Sequence, residues 1–152
     1  MASAAVHSER SRVSSLFDLA ATIEDQEVQA HFARYLAVRL CGLLESTAKA
    51  LVSEYSKRTA NSKTASFCAF EINSFRNPNT EKLLALAGRF DPDWRLQLEV
   101  LFDGRTGEAV NSIKALRDAI AHGVNHNASL GTVAKYRDEI FRTVELLERL
   151  FS

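Results

Sequence analysis

The chain has 152 residues, 46% hydrophobic and 25% charged, a length and balance that fit one soluble domain over residues 1–152. Its 19 basic residues equal its 19 acidic ones, which argues against holding nucleic acid or anionic membrane through bulk charge and leaves only a local basic patch. Six Gly and two Pro are too few for the turns of an all-β sandwich or barrel, and the two distant cysteines, Cys41 and Cys68, form neither a disulfide framework nor a four-thiolate zinc site.

Met1–His7 has no basic region followed by an apolar run, so it is not read as a secretory signal and is expected to be disordered. No stretch approaches the roughly 18 apolar residues of a membrane span. With the sparse cysteines, this predicts a cytoplasmic protein with no membrane association. Val13, Leu16, Ala20 and Ile23 recur at helical steps and predict a first helix over Ser8–Asp25. The same period runs from Val28 to Tyr55 and predicts a long second helix to about Lys57. Gly42 sits near its middle, at a cost of about 1 kcal/mol relative to Ala. A polar break, Arg58–Ser62, precedes a shorter helix over Thr64–Phe75 with Phe67, Phe70, Ile72 and Phe75 as its apolar residues. Asn77-Pro78-Asn79-Thr80 reads as a turn in which Asn79 or Thr80 caps the next helix, which carries Leu83, Leu84, Leu86, Ala87 and Phe90.

Asp91-Pro92 is an N-cap followed by Pro at the first helical position, opening a helix with Trp94, Leu96, Leu98 and Val100 that Asp103-Gly104 closes. A helix over Thr106–His122 places Ala109, Ile113, Leu116 and Ile120 on one stripe, with Gly123 as a left-handed cap. Val133, Tyr136, Ile140, Val144, Leu147 and Phe151 give the last helix the cleanest period in the chain. The predicted fold is an all-α bundle of two long helices and several shorter ones, without internal repeats or linkers.

The chemistry concentrates on the helix ending at His122. Successive helical residues turn by about 100°, which puts Arg117 on the flank of the apolar stripe, about 70° from its centre. His122 falls nearly opposite the stripe, beside Asn111, Ser112, Ala115, Asp118 and Ala119. Small side chains on that face admit a second helix, for instance from another subunit. An imidazole that moves protons beside a guanidinium that grips phosphate is the minimum set for phosphodiester chemistry. The alternative is that Arg117 pairs with an acidic neighbour and His122 merely ends a helix.

Leu116-Arg117-Asp118-Ala119-Ile120-Ala121-His122-Gly123 resembles the signature of the HEPN superfamily, an Arg, a polar residue, then a His at the end of a helix. Cys41-Gly42-Leu43-Leu44-Glu45, Asn77-Pro78-Asn79-Thr80-Glu81-Lys82-Leu83 before the Asp-Pro-Asp-Trp helix, and Ser129-Leu130 through Tyr136 resemble its RiboL-PSP branch. The resemblance runs from about Ala30 to the C-terminus. It implies a helical bundle that pairs as a homodimer, with the two Arg-to-His motifs meeting in an interfacial cleft. It further implies a metal-independent endoribonuclease of a defence, toxin–antitoxin or RNA-processing system, acting on RNA without a cofactor and with an antitoxin or other protein as partner. On that resemblance Arg117 and His122 are the catalytic pair, Asp118 is the adjacent polar position, and Glu45 matches an acidic position on the long helix. A non-catalytic HEPN-like dimerisation, RNA-binding or adaptor module is the alternative. Some HEPN toxins carry a Tyr two residues after the His that a partner nucleotidyltransferase modifies; here that position is Val124.

Lys49, Lys57, Arg58 and Lys63, with Tyr55 among them, form a positive end of the second helix that could track an RNA backbone, or a solvated helix end. Glu45 either faces the catalytic cleft or is a hydrogen-bonded packing carboxylate. Cys41 and Trp94 are expected in the core. His122 and His126 are four apart, but Gly123 breaks the helix between them and no further ligands lie near, so no metal site is expected.

Overall fold

The computed structural model describes residues 3–124 and 127–152. Among the described residues it is all-α: α1 (Ala4–Ala21), α2 (Gln26–Thr59), α3 (Ser62–Ile72), α4 (Thr80–Phe90), α5 (Pro92–Phe102), α6 (Arg105–Ala121) and α7 (Leu130–Leu150), with no strand. Six of the seven start on a side-chain cap that takes up an otherwise orphaned backbone N–H: Ser3, Asp25, Asn61, Asn79, Asp91 and Ser129. Asp91 works with Pro92 as expected. Gly104, at φ +109°, precedes α6 without a side-chain cap. The following turn is tight: a Cβ on Gly107 would lie 2.1 Å from the Phe102 carbonyl oxygen, so only glycine fits.

The 34-residue α2 is about 51 Å long and is the spine of the bundle. It packs against α1, α3, α6 and α7, while α4 and α5 form a hairpin that leans on α6. The core runs along α2 through Leu36, Leu40, Leu43 and Leu44, which meet Val13 and Phe17 of α1, Ile113 and Leu116 of α6, and Ile140, Val144 and Leu147 of α7 in one cluster. At the far end of α2, Tyr55 packs edge-on to Phe90, Trp94 and Phe151, at 5.6, 5.6 and 5.7 Å between ring centroids.

Several expectations need correction. Residues 4–7, expected to be disordered, form the first turn of α1, because Ser3 caps Val6, donates to Glu54 of α2 at 2.7 Å, and lets Val6 reach the core. Met1 and Ala2 lie outside the described residues. The first helix ends at Ala21, and Asp25 is the N-cap of α2 rather than the end of α1. Phe67 and Phe70, expected on the apolar face of α3, are 64% and 75% exposed, because α3 packs on α2 alone. On α5 only Leu98 is buried. Leu96 and Val100 stand two residues away, about 200° round the helix, and face out. No helix among the described residues is long and apolar enough to cross a membrane.

Candidate functional site

The end of α6 is built by its sequence. Gly123 takes φ +70°, donates to the Ile120 carbonyl at 3.2 Å, and Val124 donates to the Ala119 carbonyl at 2.9 Å. This double bond pattern is the Schellman ending, in which only a residue tolerant of the left-handed region serves at the glycine position. It fixes His122 as the C-cap just past Ala121, its N–H bonded to the Asp118 carbonyl at 3.0 Å and its side chain exposed. The imidazole therefore sits at the negative end of the α6 dipole, open to solvent.

Arg117 is half-buried, its side chain 32% exposed, and its Nη1 lies 3.4 Å from Asp118 Oδ1. Lys114, one turn back, donates to the other Asp118 oxygen. The Lys114 hydrogen bond holds the Asp118 carboxyl below its ordinary range; burial opposes it, and the charge of Lys114 and the lesser pull of Arg117 keep the net shift down. Asp118 is thus a fixed anion that orients two cations. Of the small-residue face opposite the core stripe, Asn111 accepts from the Thr80 N–H and hydroxyl, both at 3.1 Å, so the start of α4 crosses that end. Ala115 and His122 remain exposed.

Glu45 belongs to a neighbouring cluster. It is 17% exposed on α2 and accepts from Lys49 at 2.7 Å, Arg76 at 3.2 Å and the Asn77 backbone N–H at 2.9 Å. Burial pushes its carboxyl up, but these donors and the charges of Lys49 and Arg76 overrule it, and the net shift is down. The Asn77 amide reaches Glu45 from a loop residue at φ +44°, a conformation asparagine tolerates. Glu45 therefore pins the loop between α3 and α4 onto α2. Cys41, one turn from Glu45 and 1% exposed, lies between the two clusters: its thiol is pushed up to about 11 by burial, and it senses Arg117 and Lys114 as well as Glu45 and Asp118. Its Sγ is 3.9 Å from the Asn77 side-chain oxygen. A thiol so placed stays neutral and packs as a core residue.

The positive end of α2 is divided by the fold. Lys49 is bound into the Glu45 cluster. Arg58 donates to the Phe151 carbonyl at 2.6 Å and lies over the Tyr55 ring at 5.4 Å, holding the end of α7 to α2. Lys57 and Lys63 are exposed. His126 lies outside the described residues. Sequence reasoning missed Lys114, which its spacing four residues before Asp118 would have revealed. It also missed Arg76 and Asn77, which stand 31 and 32 positions from Glu45 and meet it only through the fold.

Comparison with curated proteins and with solved structures gives no match. The model of the RiboL-PSP-HEPN family matches residues 6–152. With the Arg117-to-His122 run on the end of α6 inside an all-α bundle, the chain belongs to the RiboL-PSP-HEPN family.

Proposed function

We propose that the protein is a metal-independent endoribonuclease acting as a homodimer, with Arg117 and His122 as its working pair. One observation carries this: within a chain matched to the family over residues 6–152, a partly exposed guanidinium and an exposed imidazole leave the last two turns of a single helix. RNA supplies its own nucleophile. The ribose 2′-oxygen bonds to the neighbouring phosphorus, the bond from phosphorus to the 5′-oxygen breaks, and the products are a 2′,3′-cyclic phosphate and a 5′-hydroxyl. His122 relays the proton lost by the 2′-hydroxyl towards the leaving 5′-oxygen, and Arg117 holds the phosphate as its charge rises. No metal is needed to generate the nucleophile, and DNA, lacking the 2′-hydroxyl, is spared.

Arg117 and His122 diverge by about 140° around α6, too far to meet on one small group from one copy. Two copies joined on the Ala115–His122 face surround one phosphate from both sides. Asp118 steers Arg117, and an antitoxin or other protein restrains the enzyme in a defence, toxin–antitoxin or RNA-processing setting. Val124 in place of a tyrosine speaks against control by modification at that position.

The test is cleavage of single-stranded RNA in excess chelator, with product ends mapped. Arg117→Ala and His122→Ala should each lower the rate by about 100-fold or more. Equal rates for all three proteins would remove the assignment. A second reading, a dimerising RNA-binding or adaptor module that does not cut, is favoured by the pairing of Arg117 with Asp118, which engages the guanidinium in the absence of substrate. Under it the variants fold and bind RNA like the parent and no new ends appear.

A further inference from the structure

Beyond the α6 site, α3 and α4 stand apart. Among the described residues α3 packs on α2 and its backbone stays away from that of α4, which leaves a groove of about 560 Å³ with Val52 of α2 in its floor. Its two walls differ in character. The α3 wall presents Phe67, Glu71 and, in the turn after the helix, Phe75. The α4 wall presents Lys82 and Arg89, seven residues and so about 10.5 Å apart on one face, with Phe90 at its end. Arg76 also lines the groove, its carbonyl held by Lys82 Nζ at 2.8 Å, and its guanidinium pairs with Glu45, which borders the Cys41 and Arg117 cluster.

With Arg76 already matched by Glu45, Lys82 and Arg89 against the one carboxylate of Glu71 still favour an anionic occupant. That Lys82 and Arg89 stand on the wall opposite Phe67 and Phe75 favours one kind of anion in particular. A single strand of RNA has phosphates on one side and flat bases on the other, and single-strand binders pair a basic track with stacking rings. Here the carboxylate of Glu71 sits on the aromatic wall, where it turns phosphates away, and Phe67, 64% exposed, offers a free ring. We infer that the α3–α4 groove binds a single-stranded stretch of the RNA substrate, bases towards Phe67 and Phe75, phosphates towards Lys82 and Arg89, with Arg76 leading the strand to the α6 site. The inference rests on the nuclease assignment for its substrate and not for its geometry.

The test uses the full chain carrying His122→Ala, so that the probe stays uncut, and a labelled single-stranded oligouridylate of about 12 nucleotides read by fluorescence anisotropy over a range of salt. Phe67→Ala should weaken binding about tenfold, the loss of one stacked base. Lys82→Gln with Arg89→Gln should reduce the slope of log affinity against log salt by about 1.4, or about 0.7 per phosphate contact. All three side chains are exposed, so unchanged circular dichroism and melting are expected. Parental affinity and slope in these variants would overturn the groove. Preference for an acidic amphipathic peptide at the same residues would also overturn it, making the groove a protein-docking site.

With His122 intact, the groove variants should cleave a dinucleoside monophosphate, whose single phosphate is taken by the α6 site and leaves none for Lys82 or Arg89, at the parental rate, and Arg117→Ala should not. Loss of dinucleotide cleavage in the groove variants overturns the inference. Retained cleavage in Arg117→Ala overturns the nuclease assignment alone and leaves the groove to be judged by binding.

Discussion

Glu45 takes three donors from two directions, Lys49 on its own helix and Arg76 and Asn77 across a 31-residue gap in sequence. Replacing it with Gln keeps the shape and removes the charge. Because Glu45 is mostly buried, Glu45→Gln should cost about 1–2 kcal/mol near neutral pH. Its folded carboxyl lies below the ordinary value of 4.5, so its stabilisation is complete above that value and is lost as pH falls through the lower folded one. Urea unfolding of parent and Glu45→Gln between about pH 6 and pH 3 should therefore show the two converging in acid. A constant gap would mean that the charge of Glu45 contributes nothing. The sequence carried Glu45 only as a resemblance, with its role open between cleft and packing. The reason is physical: its function is to hold a loop whose residues approach it through tertiary structure alone. Arg58 was open between an RNA contact and a solvated helix end, and the fold gives it a third role as the grip on Phe151.

At the scale of the element, the signals that were legible are those the chain states locally. Asn79 and Asp91-Pro92 start helices, and Gly123 ends one, because a cap is a contract among neighbours three or four residues apart. The start of α1 was illegible because Ser3 depends on Glu54, 51 positions on. The exposed faces of α3 and α5 were misread for a related reason: hydrophobic content shows that a helix has apolar residues, not which neighbour arrives to cover them. The glycine cap has a measurable value. Gly123→Ala forces a Cβ into φ +70° and should destabilise by about 1 kcal/mol, lowering the melting temperature by about 2–4 °C. Since the same turn fixes His122, RNA cleavage should fall more than stability does. Unchanged cleavage with a lowered melting temperature would separate the cap from the site.

For the whole molecule, the deciding surface is the one around Ala115. This residue is exposed on α6 between Asp118 and the Thr80 crossing at Asn111, and the proposed dimer seats a second copy there. Ala115→Arg puts a long charged chain on that face without touching the core. Sedimentation velocity should then find a dimer for the parent and a folded monomer for the variant, with RNA cleavage lost alongside. A dimeric, fully active variant would place the interface elsewhere. The overall class was readable because helical periodicity runs through nearly the whole chain. The α3–α4 groove was not readable, because its walls come from helices whose backbones do not pack on each other and are placed by other elements of the bundle.

The ring cluster at the end of α2 has a practical consequence. Trp94 is the chain's one tryptophan, and it lies 5.6 Å from Tyr55, 5.9 Å from Phe90 and 4.8 Å from Phe151. Its indole emission therefore reports on a single junction where α2, α4, α5 and the residue after α7 converge. Phe90, which shields one side of the indole, also borders the α3–α4 groove. The molecule thus carries its own optical probe, sensitive to separation of those helices and to what arrives beside them, with no label attached.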